Sequence, residues 1–152
     1  MTSIRPNIRA LASIKPSARP VFRQVAALCL REKDGKAQVL MVTSRATRRW
    51  IIPKGWPIDG TKNPKAALIE AWEEAGVKQA SVSKKPIAEF ASRKRLHDGT
   101  EVRITTDVFR VKVDKTEKSF PERDQRRRKW MRPAKAAKLV QENGLKKILR
   151  AL

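Results

Sequence analysis

The chain has 152 residues, of which 36 are Lys or Arg and 15 are Asp or Glu, so its formal net charge at pH 7 is +21. This length suits one domain with one hydrophobic core and excludes two large domains. The sequence has no apolar run as long as a transmembrane helix requires, and its single cysteine excludes an internal disulfide and suits the reducing cytoplasm. The charge predicts a polyanionic partner: a nucleic acid, a highly phosphorylated small molecule or an anionic surface.

Residues 1–20 are predicted to form a basic flexible arm ahead of a domain that spans residues 21–152. The arm has no acidic residue, and its three prolines interrupt any long helix. An organellar transit peptide is also basic and poor in acids, so that alternative stays open for this segment.

The first half of the domain predicts a hairpin followed by a short strand. Phe22–Arg31 is apolar on both faces, as in a central strand, and Asp34 with Gly35 is typical of a hairpin turn. Gln38–Ser44 is predicted to return as a second strand, and Trp50–Ile52 is predicted to be a short third one.

Basic residues gather in the loop after the second strand and beside the third. They are either part of a solvated loop or ligands for phosphate groups, and their closeness in sequence to the glycine-rich loop described next favours phosphate binding. The candidate phosphate-binding residues are Arg23, Ser44, Arg45, Arg48, Arg49 and Lys54.

A glycine-rich loop and a short acidic helix, Gly55–Val77, form the central feature of the sequence. Asn63 is a favourable N-cap residue, Pro64 suits the first helical position, and Gly76 suits the left-handed position that ends a helix. This chemistry predicts a helix over about residues 64–75.

Three glutamates of this helix are predicted to share one face, opposite a core face of Leu68, Trp72 and Ala75. Like charges at spacings of three and four repel one another unless a cation neutralises them, and hard divalent cations bind carboxylate oxygens. A solvated acidic face is the alternative. The glutamates are Glu70, Glu73 and Glu74.

The second half predicts two more strands, Pro86–Leu96 and Thr100–Val113, and a C-terminal helical region. The basic run Arg126–Lys129 before Trp130 predicts either nucleic-acid contact or a structural role. One helix is predicted from Pro133 until Asn143 and Gly144 end it, and a second apolar helical segment follows. Together the elements predict a mixed α/β fold, with a curved mixed sheet between helices.

The glycine-rich loop and helix resemble the Nudix hydrolase signature, G-x5-E-x7-R-E-U-x-E-E-x-G-U, where U is a bulky apolar residue. In the family the first Glu and the Arg pair with each other, and here Thr61 and Ile69 replace them, while Ala71 replaces a larger residue. Loss of both partners costs less than loss of one, so we expect metal binding to survive and the loop to be ordered differently. The matching residues are Gly55, Glu70, Glu73, Glu74, Gly76 and Val77.

The hairpin, the basic loop and the Trp-x-x-Pro-Lys-Gly segment are similar to the diphosphoinositol polyphosphate and diadenosine polyphosphate hydrolase branch of the family. The resemblance implies an α/β/α sandwich and a cofactor, Mg²⁺ or Mn²⁺. By resemblance Glu73 and Glu74 are the chief metal ligands and catalytic residues. Glu70 is a third ligand or the base that activates water, and the Gly55 carbonyl completes the metal shell.

The resemblance implies hydrolysis of a pyrophosphate linkage in a highly phosphorylated small molecule. Two alternatives remain open. One is removal of pyrophosphate from an RNA 5′ end, with the basic arm and Arg126–Lys129 holding the backbone, and the other is a chain that binds polyanions without catalysis. No membrane partner is expected, and the sequence leaves the oligomeric state open.

Overall fold

The structure is a computed structural model that describes residues 14–15 and 19–152. The predicted basic arm lies mostly outside these residues and stays a prediction. A short 3₁₀ turn, Arg123–Gln125, accompanies eight strands and three helices. The strands are β1 (Val21–Lys33), β2 (Lys36–Thr43), β3 (Trp50–Ile51), β4 (Lys54–Gly55), β5 (Val77–Val82), β6 (Ala88–Arg95), β7 (Glu101–Thr116) and β8 (Arg128–Met131), and the helices are α1 (Asn63–Ala75), α2 (Pro133–Leu139) and α3 (Asn143–Arg150).

All eight strands belong to one mixed sheet. Its main path is β3-β2-β1-β7-β5, with β4 beside β1, β6 beside β7 and β8 beside β2. The long β1 and β7 strands are parallel from Val21 opposite Arg103 to Leu30 opposite Lys112, and the other pairs are antiparallel. Six consecutive residues of β1, from Gln24 to Cys29, are buried, which confirms the prediction of a central strand.

The sheet separates two hydrophobic cores, because alternate residues of β1 point to opposite faces. Val25, Ala27 and Cys29 pack on one face against α1. Ala26 and Leu28 pack on the other face against α2 and α3. This three-layer arrangement confirms the predicted α/β/α architecture.

The main errors of the sequence prediction concern short strands and the C-terminal helices. It missed β4, β5 and β8, which are short or polar. It also took Asn143 and Gly144 as the end of a helix, whereas they begin α3. Gly144 is needed there because a Cβ atom on it would lie 2.7 Å from the Cβ atom of Phe90 on β6.

Within the described part of the chain, no helix is long and apolar enough to cross a membrane.

Candidate active site at the acidic helix

Helix α1 begins and ends close to the predicted positions. The N-cap is Lys62 rather than Asn63, one residue earlier than predicted, and Pro64 lies in the first turn. At the other end Gly76 has a φ of +70° and its N–H donates to the carbonyl oxygens of Ala71 and Trp72. The left-handed glycine therefore ends the helix as the sequence predicted.

The face of α1 that packs on the sheet includes Leu68 and Ala75 of the predicted core face but not Trp72. Ala67, Ala71 and Ala75 are fully buried against the sheet, whereas Trp72 is only half-buried. Small alanine side chains let the helix lie close to the strands. As a result Glu74, predicted to lie in a cluster of carboxylates opposite the core face, has only 1% of its surface exposed.

Gly55 brings the backbone of β4 directly against the carboxylate of Glu70. Gly55 lies opposite Val25 of β1, and the side chain of Val25 packs against α1. Because opposite residues point to the same face of a sheet, a side chain at position 55 would also point at the helix. A Cβ atom at position 55 would lie 2.4 Å from both Cδ and Oε1 of Glu70. Only glycine permits this approach.

The carboxyl groups of Glu74, which is buried, and of Glu70, which is partly buried, both lie beside β4. The backbone N–H of Lys54 donates to Glu74 Oε2 over 3.2 Å. Burial is the main cause that raises the pKa of both groups, and the neighbouring Glu70 carboxyl raises the pKa of Glu74 further.

Arg126 supplies positive charge to this pair from a distant part of the chain. Its Nη2 atom lies 3.2 Å from Glu74 Oε1 and 3.0 Å from Glu122 Oε1, and its Nη1 donates to the carbonyl oxygen of Thr43 over 3.0 Å. The N–H of Glu122 donates to the carbonyl oxygen of Glu73, which fixes this loop to α1. The sequence pattern indicated only a basic run here, because no local signal distinguishes Arg126 from its neighbours.

The rest of the basic run has mixed environments. The Arg127 guanidinium lies 5.5 Å from the centroid of the Trp50 ring, and that of Arg128 lies 4.7 Å from the Phe120 ring. Arg128 also donates to the carbonyl oxygen of Ala75 over 2.7 Å. Arg126 and Arg128 therefore serve the fold, and the run is not a uniform surface for binding a polyanion.

Two of the predicted phosphate ligands, Arg23 and Arg45, have exposed side chains. Arg23 lies on the face of the sheet that α1 covers, and Arg45 lies near α1. Arg23 Nη1 is 2.9 Å from Asp107 Oδ1 and 3.4 Å from Glu89 Oε2. Arg45 Nε is 3.5 Å from Glu122 Oε1. Both arginine side chains are 57% exposed, so they keep donors that an anion could reach.

Three others form the tight turn between β2 and β3. The N–H of Arg48 donates to the carbonyl oxygen of Ser44, and the N–H of Ser44 donates to that of Arg49. Arg48 has a φ of +58°, and the hydroxyl of Ser44 is hydrogen-bonded to that of Thr47. The Arg49 guanidinium donates to the side chain of Gln141, just ahead of α3.

Lys54 lies on the opposite side of the sheet from Glu70. It pairs with Ala26, whose side chain packs on the α2 and α3 side, so Lys54 points to that side too. Burial lowers the pKa of Lys54, and the nearby carboxylates of Glu142 and Glu74 partly oppose this effect. The structure therefore does not bring the six predicted phosphate ligands to one place.

The NUDIX domain family matches residues 21–152, most of the chain. The chain belongs to the NUDIX family. This membership supports a pyrophosphohydrolase activity. No curated protein matches the sequence.

Solved structures of NUDIX proteins share the fold at low sequence identity. The C. elegans Ap4A hydrolase is 19% identical with a TM-score of 0.63, over 86% of this chain and 95% of its own. The NUDIX domain of Shewanella oneidensis NrtR, complexed with ADP ribose, is 14% identical with a TM-score of 0.62, over 96% of each chain. The M. smegmatis Nudix hydrolase RenU is 17% identical with a TM-score of 0.51, over 86% and 83% respectively.

The loop between β4 and α1 is held by core packing and by a backbone hydrogen bond. Ile58 is buried in the core beneath α1, and the N–H of Thr61 donates to its carbonyl oxygen over 3.1 Å. Ile69 packs against the same core. A buried side chain and a hydrogen-bonded turn therefore order this loop.

The donor atoms of the NUDIX site suit a divalent cation, although no three acidic, histidine or cysteine side chains among the described residues already form a metal-binding group. Glu74 Oε1 is buried and, despite its closeness to Arg126, has no partner in hydrogen-bond geometry. The Glu70 carboxylate lies against Gly55 and Glu74 accepts a hydrogen bond from Lys54, so both carboxyl groups lie beside β4. Carboxylate and carbonyl oxygens are the ligands that Mg²⁺ and Mn²⁺ prefer.

Proposed function

We propose that this protein hydrolyses a pyrophosphate linkage in a highly phosphorylated small molecule, with Mg²⁺ or Mn²⁺ as cofactor. The observation that carries the proposal is the pair of Glu70 and Glu74 carboxyl groups beside the β4 backbone. Burial of two neighbouring carboxyl groups costs free energy of folding, so their presence at one place points to a functional site. Residues at functional sites commonly have such displaced pKa values.

Glu73, Glu74 and the Gly55 carbonyl would hold the metal, with Glu70 as a third ligand or as the base that takes a proton from water. A bound divalent cation neutralises phosphate charge and lowers the pKa of water. The role of base suits Glu70 because its pKa is raised and it lies beside the β4 backbone, where substrate phosphates would approach. These roles rest on the NUDIX signature together with this geometry.

The substrate class we propose is a diphosphoinositol polyphosphate or a dinucleoside polyphosphate. The net charge of +21 favours a ligand with many phosphates over a nucleotide sugar. Arg23 and Arg45 are exposed on the same side as the acidic helix or beside it, and their planar guanidinium groups suit phosphate oxygens. The fold shared with the Ap4A hydrolase is consistent with this class. We propose the cytoplasm as its location, which suits the reduced Cys29.

A substrate panel with and without Mg²⁺ tests the proposal. The panel contains a diphosphoinositol polyphosphate, diadenosine tetraphosphate, ADP ribose and 5′-triphosphorylated RNA. We expect metal-dependent product release from at least one of the first two compounds. Binding of these compounds without any hydrolysis would instead support a polyanion-binding protein that has lost catalysis, and hydrolysis of the RNA alone would support action on RNA 5′ ends.

A further inference from the structure

The layer formed by α2 and α3 has a strongly basic outer surface. Ala136 of α2 and Leu149 of α3 are buried against the sheet, so the exposed side chains of the two helices point to the solvent side of the layer. Five basic residues of this segment are exposed, and Lys146 is half-buried. We call these six residues the helical basic face. They are Arg132, Lys135, Lys138, Lys146, Lys147 and Arg150.

The charge of the helical basic face is not neutralised from within. The segment 132–152 has one acidic residue, Glu142, and the Oε2 atom of its carboxyl group is buried. The charge of Glu142 acts on Lys54, where it opposes the lowering of the pKa of that lysine. Within the described part of the chain, none of the six basic side chains forms a salt bridge, whereas the exposed Arg23 and Arg45 on other parts of the surface each have a carboxylate partner.

Two exposed leucines lie beside these basic residues. Leu139 at the end of α2 is 40% exposed, and Leu152 after α3 is 41% exposed. Leu139 follows Lys138 in the chain and lies one helical turn after Lys135, so it is a neighbour of both cations. Five large hydrophobic side chains are exposed among the described residues, and two of them are these leucines.

A cavity beside Leu152 combines positive charge with apolar surface. Its volume is about 420 Å³, and it lies between the turn from β1 to β2, the start of α2 and the end of α3. Lys36, Arg132 and Arg150 supply its charge, and Leu149 and Leu152 supply apolar surface. No acidic residue lines it. This combination suits an amphiphilic anion, in which a phosphate group is attached to apolar chains.

These features favour an anionic bilayer surface over a nucleic acid as the partner of this face. Cations alone bind the backbone of a nucleic acid, and proteins that bind single strands add aromatic side chains on which the bases stack. The segment 132–152 has no aromatic residue. Exposed leucines beside Lys and Arg are instead typical of elements that lie in a membrane interface.

We propose that the helical basic face docks peripherally on an anionic phospholipid surface, with Leu139 and Leu152 in the interface. Helix α1 lies on the other face of the sheet, so this docking leaves the candidate active site open to the solvent. The proposal goes beyond the proposed hydrolysis, because it requires neither a metal nor a pyrophosphate group. It departs from the expectation of no membrane partner, since peripheral binding needs no membrane-spanning segment.

Flotation of the full chain with vesicles tests the proposal, with EDTA present. We expect binding to vesicles of phosphatidylcholine with phosphatidylserine, loss of that binding at high salt, and no binding to phosphatidylcholine alone. The variant Lys135→Gln/Lys138→Gln should bind roughly thirtyfold more weakly, because each basic residue near an anionic bilayer contributes about fivefold. The control Lys62→Gln/Lys65→Gln removes two exposed charges on the α1 side and should keep the wild-type affinity within about twofold.

A second variant separates contact with the bilayer interface from attraction between charges. We expect Leu139→Gln to weaken vesicle binding roughly fivefold, because the exposed part of this leucine loses its burial in the interface. Ile87→Gln is the matched control, since Ile87 is 39% exposed and lies outside the α2–α3 layer, just ahead of β6. It should keep the wild-type affinity.

Absence of binding to the phosphatidylserine vesicles, or equal weakening by the α2 lysine variant and its control, would overturn the proposal. So would wild-type vesicle binding by Leu139→Gln together with loss of binding to a single-stranded RNA in the lysine variant, which would assign the face to nucleic acid. Thermal melting checks the fold of each variant, and Lys147→Gln/Arg150→Gln on α3 repeats the test if the α2 variant unfolds. Because metal and pyrophosphate are absent, the outcome is independent of the substrate panel.

Discussion

Arg126 and Glu74 form a buried ion pair, with Nη2 of the arginine 3.2 Å from Oε1 of the glutamate and with 8% and 2% of their side chains exposed. The two residues are far apart in sequence, and the loop that carries Arg126 is fixed to α1 through Glu122 and Glu73. Here the buried charge near the acidic pair comes from another element.

We expect Arg126→Ala to destabilise the protein by about 3–5 kcal/mol, because it leaves the carboxylates of Glu74 and Glu122 buried without their cation. Urea unfolding measures this loss. Arg123→Ala removes an exposed arginine of the same loop and serves as the control, with an expected change within about 0.5 kcal/mol. Equal stabilities of the two variants would show that the ion pair does not hold the loop.

We expect Gly55→Ala to reduce turnover by about a hundredfold while the fold persists, since its Cβ atom would displace the carboxylate of Glu70. Steady-state kinetics on the substrate found in the panel measures this effect. Lys62→Ala is the control, because it truncates an exposed side chain of the same loop that makes no capping hydrogen bond to α1. Wild-type turnover by Gly55→Ala would mean that Glu70 has no part in the reaction.

Cys29 should resist thiol reagents in the folded protein even at mildly alkaline pH. Burial in the core beneath α1 raises the pKa of its thiol well above the ordinary value, so the reactive thiolate is scarce. Labelling by iodoacetamide, followed by mass spectrometry, tests this expectation, with the protein in denaturant as the positive control. Rapid labelling of the native protein would indicate that the core opens locally.

The sequence prediction was correct where an element depends on interactions between residues close in sequence, and it failed where the contacts join distant parts of the chain. The end of α1 at Gly76 and the central position of β1 depend on local chemistry and on an apolar run, and both were predicted correctly. The burial of Glu74 depends on how closely an alanine stripe lets α1 approach the sheet. No local pattern contains that distance, so the burial of Glu74 was not predicted, and it argues against the alternative of a solvated acidic face.

Arg126 illustrates the same limit at the site. Its sequence neighbours are also basic, and only the pairing of β8 with β2 directs it inward to Glu74. The short strand β4 was missed because two residues carry no periodicity, yet it brings Gly55 to Glu70. The positions of the acidic helix and its glutamates could thus be found from the sequence, whereas the contacts that shape the site could not.

The most direct test of the central claim is the Mg²⁺-dependent rate of pyrophosphate hydrolysis by Glu74→Gln. The amide keeps the size of the side chain but removes the charge that a metal requires, and Glu32→Gln at the exposed β1 turn is the matched control. We predict that kcat/KM falls by more than about a hundredfold in Glu74→Gln, since even residues outside the metal shell change activity by 10–100-fold, and that the control keeps the wild-type value. Wild-type hydrolysis by a folded Glu74→Gln protein would contradict the account.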